Sequence, residues 1–345
     1  MKRIETQILS SLTESEKSFW ELLDENQYTV KEFVAVINNL FRDGLISVRG
    51  DRIYLTEKGL SYVNKIHLEF KSKICSECEG KRIIFDGKFK GIMEKFTEII
   101  KDRPLPNAAF FQGYMRVQDV IFRMALMHHY NDLAGKSFIL IGDDDLLSVA
   151  LALTNLPSRI FVLDIDAGLG RYIGGLCKEH GLEIEFQQYD VSSPLPKGLL
   201  GAFDVFSSEP LETLSGLKAF LSRGIACLKE NGVGYIGLST AEASYRKWKS
   251  VEKMLLQMNC VITDIIRDFS KYKTLYETVN YEMFTKKLSF PVNENPGIYW
   301  YKSSLFRFEV LGKPKPIVKP EKHVLIRYID RRDDVTNPLL YSNNK

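Results

Sequence analysis

The sequence has no glycine-rich nucleotide turn, no membrane-length apolar run, no even set of cysteines and no marked excess of one charge. Each absence removes a class of protein. No G-x-G-x-x-G follows an apolar run, which argues against a dinucleotide-binding domain. No stretch approaches the ~20 apolar residues that cross a bilayer, and the opening MKRIETQILSSLTESEKSFW has no apolar signal core, so no membrane partner is expected. The five cysteines (Cys75, Cys78, Cys177, Cys227, Cys260) lie mostly inside apolar segments, as reduced thiols of a cytoplasmic protein do. A net charge of +3 over 345 residues is too small to predict a nucleic-acid or membrane surface. What remains is an ordinary globular composition, long enough for two domains.

Residues 1–70 form the first unit. Ser15 to Leu23 reads as a helix, and Thr29 to Phe41 repeats Phe33, Val36, Ile37 and Leu40 at helical spacing after a Thr29 cap with Glu32 three residues on. The stretch LISVRGDRIYLTEKG then gives two short strands about Gly50-Asp51 and a further helix start. This order predicts a winged helix-turn-helix. Acids outnumber bases in the unit, and Lys31, Glu32, Arg42 and Asp43 cancel on the candidate recognition helix. Phosphate binding needs a basic face, so nucleic acid is not expected as a partner and a docking or dimerisation role is.

Residues 71–135 read as a linker and helical segment opened by Cys75-Ser-Glu-Cys78. No second Cys or His pair follows at metal spacing, so packed thiols are expected and no metal. Helices are predicted over Gly87–Ile100 and Val117–Tyr130. From residue 136 to 311, strands at Ser137–Ile141, Arg159–Leu163, Glu183–Gln188, Phe203–Ser207, Gly232–Leu238 and Val261–Phe269 alternate with helical stretches. The alternation predicts an α/β, Rossmann-like, doubly wound sheet of the class I methyltransferase type. Aromatic segments Tyr276–Phe284 and Tyr299–Leu311 would supply an antiparallel edge. Residues 312–345, rich in Pro and Lys, read as a mobile tail in which Val324–Ile329 has strand character.

Acids stand at the ends of four successive strands, where open α/β sheets bind ligands. They are Asp143-Asp144-Asp145 after Gly142, then Asp164 and Asp166, then Asp190, then Glu209 and Glu212. Each has an ordinary structural reading: Asp145 as a helix cap, Asp190 as a turn residue, Glu212 as a cap near Thr213. Four acidic turns in register are harder to assign to chance. Three carboxylates where a phosphate or carboxylate usually sits would repel an anionic ligand and favour a cation. Decarboxylated S-adenosylmethionine is such a ligand, a sulfonium and an ammonium without a carboxylate, and a polyamine acceptor is cationic too. The predicted reaction is aminopropyl transfer. Gly142, Asp143, Asp164, Asp166 and Asp190 are expected around the donor. Asp144, Asp145 and Glu209 are the catalytic candidates: Asp144 or Asp145 is expected to act at the amine, with Asp143 and Glu209 seating ammonium groups. No tightly bound cofactor is expected, the adenosyl donor being a substrate.

The motifs GDDDLLSVALALT, VLDID, FDVFSSEPLET, FLSRGI, EASYRKW and VITDIIRDF together resemble the branched-chain polyamine synthases, the N4-bis(aminopropyl)spermidine synthase family, over about residues 15–311. The resemblance implies a homodimer that moves aminopropyl groups from decarboxylated S-adenosylmethionine to the secondary amine of spermidine. It also implies Asp144 or its neighbours as key acids, and substrate contacts from Tyr114, Glu209 and Glu212. The family's fourth turn reads Asp-Pro-Pro-Glu-Thr, whereas this chain has Glu209-Pro210-Leu211-Glu212-Thr213. Arg116 and Thr240 also depart from the pattern, standing where a small polar residue and a His are expected. Two other functions fit the residues less well: a methyltransferase acting on nucleic acid or a small amine, and a polyamine-sensing DNA-binding regulator.

Overall fold

The protein is described here from a computed structural model, over residues 2–63 and 74–341. Helix α1 (Arg3–Glu14) buries Ile4, Ile8, Leu9 and Leu12 along one stripe, and the sequence reading above leaves it out. Helix α2 (Phe19–Asp24) starts later than the Ser15 predicted. The reason is local: Lys17 pairs with Ile53 as a β-bridge, and Ser18 and Glu21 form a reciprocal capping box that fixes the helix start. Helix α3 (Val30–Arg42) opens on the Thr29–Glu32 capping box read from the sequence. Strands β1 (Ile46–Arg49) and β2 (Arg52–Leu55) form an antiparallel hairpin, and α4 (Glu57–Leu60) follows.

The core of this unit continues into the rest of the chain. Phe19, Trp20 and Phe33 pack in one cluster with Ala241, Phe284, Phe290, Trp300 and Val335 from the rest of the chain. The polar residues of α3 are spent inward as well. Asn38 donates to the Lys287 carbonyl at 3.0 Å and accepts from Ser289 N–H at 2.7 Å. Lys31 donates to the carbonyls of Arg331 and Arg332 at 3.0 and 2.7 Å.

Helices α5 (Lys88–Ile99) and α6 (Val117–His129) lead into the sheet. Ahead of α6 a knot of charges fixes the chain. Fully buried Lys81 pairs with Glu79 at 3.0 Å and Asp119 at 3.3 Å, Arg116 pairs with both acids, and Lys271 reaches Glu79 at 2.8 Å. Arg116, out of place by the family's pattern, thus has a structural role.

The sheet contains β3 (Ser137–Ile141), β4 (Arg159–Asp164), β5 (Glu185–Gln188), β6 (Phe203–Ser208), β7 (Leu228–Ser239), β8 (Cys260–Tyr272) and β9 (Tyr301–Val310). Its order is β5-β4-β3-β6-β7-β9-β8, parallel from β5 to β7, with β9 antiparallel between β7 and β8. Helices α7 (Leu147–Leu153), α8 (Ala167–His180), α9 (Leu214–Cys227) and α10 (Tyr245–Gln257) cover its faces. This is the strand order and single antiparallel insertion of methyltransferase-like folds. The order reverses between β3 and β6, so a crevice opens at their carboxyl ends.

Two expectations need correction. Tyr276–Phe284 makes no strand: it holds a bridge between Leu275 and Asn280 and enters a single turn at Met283–Lys287. Its aromatics bind another loop instead, Tyr276 Oη accepting from Tyr114 N–H at 2.8 Å and Tyr281 Oη donating to the Gln112 carbonyl. The segment 312–341, expected as a mobile tail, adds no strand and is packed down. Buried Arg223 on α9 donates to the carbonyls of Lys319, Pro320 and Lys322. A fully buried guanidinium needs several acceptors, and this segment supplies them. Replacing Arg223 with Met should therefore cost about 2–4 kcal/mol and expose this segment to limited proteolysis. A wild-type cleavage rate and melting temperature would contradict that anchoring role.

Candidate active site

The turn after β3 is shaped by Gly142, whose φ of +79° suits glycine. Asp143 then points away from the crevice. Its carboxylate accepts Ser148 N–H at 3.2 Å and Ser148 Oγ–H, capping α7, while its own N–H donates to Asp164 Oδ2 at 3.0 Å. The cap read at Asp145 thus falls to Asp143, and the donor-binding and ammonium-seating roles expected of Asp143 are corrected to that cap. Asp144 and Asp145 face the other way, where the segment 113–115 supplies donors. Gly113 N–H donates to Asp144 at 3.2 Å and Met115 N–H to Asp145.

These acids border a cavity of about 440 Å³. Because β4 and β5 lie on one side of β3 and β7 and β9 on the other, the cavity has two distinct ends. Ile165, Tyr189, Asp190 and Val191 line the first, with Asp164 beside Asp144. Asp190 does hold its turn, accepting Ser192 N–H at 2.8 Å, and still borders the cavity. Asp166 does not border it. It caps α8 through Gly168 N–H at 2.7 Å and accepts from Gln112 at 3.0 Å, so its expected donor contact is corrected to a capping role. Tyr114 is also corrected: its hydroxyl donates to the Pro104 carbonyl and its ring lies under Arg103, 3.6 Å away, off the main cavity.

The far end belongs to β6, β7 and β9. Glu209 is not a free acid. Fully buried Arg123 ion-pairs with it, Tyr272 Oη–H donates at 2.6 Å and Ser303 Oγ–H at 3.2 Å. A Cβ at Gly237 would overlap the Glu209 carboxylate, so the longer side chain here rests on a glycine that has room for it. Its expected catalytic role is thereby corrected to a paired wall residue. Glu212 accepts Ser239 N–H and Oγ–H. Beyond it stand two acids not read as site residues from the sequence. Glu242 accepts Tyr301 Oη–H at 3.1 Å, and Asp334 comes from the C-terminal segment. Glu242 opens the EASYRKW motif, and Arg123 interrupts the apolar run of α6, which signals a buried acidic partner.

Burial and mutual repulsion raise the proton affinity of Asp143, Asp144, Asp145, Glu212, Glu242 and Asp334 above the usual carboxyl range. Burial lifts Asp143 and Asp144 strongly, with Asp145 adding to Asp144. Asp145 is pushed to about 7, first by burial and then by Glu209, and Glu212 to about 7 by burial. Glu242 rises to about 8 through burial, Asp334 and Glu212, and Asp334 to about 6 through burial. Among the described residues no group of His, Cys, Asp and Glu has metal-holding geometry.

Fold and site together define a Rossmann-like α/β protein of the methyltransferase-like class whose pocket is lined by acids. The model of the branched-chain polyamine synthase A C-terminal domain matches residues 91–332, and the chain belongs to that family. It is 38% identical over 303 residues to the N(4)-bis(aminopropyl)spermidine synthase of Thermococcus kodakarensis, covering 86% of this chain and 84% of that protein. The Methanocaldococcus jannaschii enzyme of the same name is 36% identical over 316 residues, 90% and 88% of the two chains. The Thermus thermophilus branched-chain polyamine synthase, solved with N4-aminopropylspermidine and 5'-methylthioadenosine, superposes with a TM-score of 0.83 at 28% identity, over 96% and 93% of the chains.

The raised carboxyls set a pH dependence for the ligand-free protein. The folded state holds protons that the unfolded chain, with ordinary carboxyls near 3.8–4.5, has already lost. Their stabilising contribution is therefore fully present only below the unfolded values of 3.8–4.5 and is lost progressively as pH rises from there to about 7 to 8. Thermal melts should fall across that window, and Asp145→Asn should flatten the fall. A melt that rises with pH, unchanged in the variant, would contradict the assignment.

Proposed function

We propose that the protein transfers the aminopropyl group of decarboxylated S-adenosylmethionine to the secondary amine of spermidine, giving a branched polyamine and methylthioadenosine. One observation carries this reading. Among the described residues the cavity is lined by Asp144, Asp145, Asp164, Asp190, Glu209, Glu212, Glu242 and Asp334 and by one basic residue, Lys273, with Arg123 paired to Glu209 from beneath. That excess of acids favours a polycationic ligand set and repels an adenosyl donor bearing a carboxylate.

The donor's adenosine lies at the β4–β5 end, with Asp164 at the ribose and Asp190 near the base. Its sulfonium then stands beside Asp144 and Asp145, and the acceptor extends towards Glu212, Glu242 and Asp334. The neutral secondary amine attacks the methylene next to sulfur. The new C–N bond forms as the C–S bond breaks, sulfur leaves with the electron pair as neutral methylthioadenosine, and the nitrogen sheds its proton. Asp144 takes that proton. Among the described residues only Gly113 N–H donates to its carboxyl, so it has capacity to spare, and its raised proton affinity suits a base. Asp145, engaged by Met115, holds the amine in line.

The described part of the N-terminal unit, residues 2–63, we read as a winged helix-turn-helix turned inward. Its candidate recognition helix α3 spends Lys31 and Asn38 on the rest of the chain, which speaks against both a DNA-reading regulator and a nucleic-acid methyltransferase. The five unpaired cysteines favour a reducing, cytoplasmic setting.

The test is incubation with spermidine and either the decarboxylated or the intact adenosyl donor. Methylthioadenosine should form with the former alone, and adenosylhomocysteine from the latter would overturn the reading. Asp144→Asn should slow methylthioadenosine release by about 10²-fold or more without lowering the melting temperature. Unimpaired turnover in that variant would remove Asp144 from the chemistry.

A further inference from the structure

Two of the acids at the far end of the cavity owe their placement to the N-terminal unit. Glu242 follows Ala241, whose carbonyl accepts the N–H of Val30, the first residue of α3, at 3.1 Å. Ala241 also packs in the core that Phe33 and Ile37 of α3 share with Val335. Asp334 sits in a turn over 330–334, where Asp334 N–H donates to the Asp330 carbonyl at 2.8 Å and the Asp334 carboxylate accepts Asp330 N–H at 2.7 Å. Lys31 holds the outside of that turn through the carbonyls of Arg331 and Arg332. From inside, Lys247 lies 3.4 Å from Asp330 and 3.6 Å from Asp333. The start of one helix thus grips both chain segments that carry the distal carboxylates.

We propose that the N-terminal unit is a specificity wall for the acceptor: Val30 and Lys31 are positioning residues that hold Glu242 and Asp334 against the distal ammonium group of the polyamine. This rests on the functional reading above and adds to it the unit's role and the subsite it builds. The docking has a chemical logic. Glu242 and Asp334 each raise the other's cost of ionisation, so without external restraint they would separate, and a single ammonium could not meet both. A backbone N–H and a lysine ammonium, both directed at carbonyls and neither at a carboxylate, fix their spacing and leave the remaining carboxylate oxygens to the ligand.

Equilibrium binding of spermidine to the full chain, followed by calorimetry, gives the test because it needs no turnover. Lys31→Ala should weaken spermidine binding by about tenfold, the scale of charge-assisted hydrogen bonds lost, and Lys31→Arg should restore it. Affinity for methylthioadenosine should change by less than about twofold, the donor end being remote. The sign separates positioning from charge. Removing a cation near a cationic ligand strengthens binding if the lysine acts only through its charge, and weakens it if it places the acids. Val30→Pro gives an independent arm. Proline is accepted at the first position of a helix, so the change removes the N–H given to Ala241 and keeps α3. It should raise the acceptor KM several-fold more than Val30→Ala. Unchanged or tighter spermidine binding in Lys31→Ala, or equal losses at both ends of the cavity, would overturn the proposal. A wild-type protein that binds no spermidine would instead overturn the functional reading itself.

Discussion

Crowding of like charge in a buried cavity is the constraint on which this structure depends. Among the described residues eight carboxylates line one space together with the low-polarity side chains of Ile141, Leu163, Tyr272 and Tyr301. In such surroundings unit charges a few ångströms apart interact several times more strongly than in water. The fold meets that cost in two ways. It favours, through burial, the protonated forms of Asp145, Glu212 and Glu242, which lowers the charge the ligand-free cavity must hold. It also occupies the others with internal donors, above all Arg123 beneath Glu209.

The internal donors explain features that look unrelated to the site. The loop 112–116 is held by the knot of Glu79, Lys81, Arg116, Asp119 and Lys271, and it is this loop that offers Gly113 N–H to Asp144 and Met115 N–H to Asp145. A buried salt-bridge network adds little net stability but specifies one arrangement strongly. Arg223 fastens the C-terminal segment so that Ile326, Tyr328 and Asp334 close one side of the cavity. The N-terminal unit, whose core is continuous with Ala241, Phe284, Trp300 and Val335, completes the wall from outside.

Much of this was legible in the sequence because it is local or periodic. Apolar runs ending in acids gave the parallel strands and their ligand edge, and Thr29 with Glu32 gave the start of α3. Asp144, Asp145, Asp164, Asp190, Glu209 and Glu212 do border one cavity. What the sequence hid was direction. Asp143, Asp144 and Asp145 are adjacent and identical in type, yet Ser148 draws the first into a cap while the loop 112–116 faces the other two. Asp166 and Tyr114 were misplaced for the same reason, their partners Gln112 and Pro104 lying far away along the chain or on an irregular loop. Glu242 stands just past the carboxyl end of β7 but reads in the sequence only as the opening of the EASYRKW motif, and no strand end announces Asp334. The aromatic stretch Tyr276–Phe284 has strand composition but spends its hydroxyls on another loop.

If the cavity stores protons in place of cations, ligand binding must release them. Calorimetric titration of spermidine at pH 7, in two buffers of different ionisation enthalpy, counts that exchange directly. The account predicts net proton release into the buffer, diminished in Glu242→Gln. Binding with no proton exchange, or with proton uptake, would contradict it.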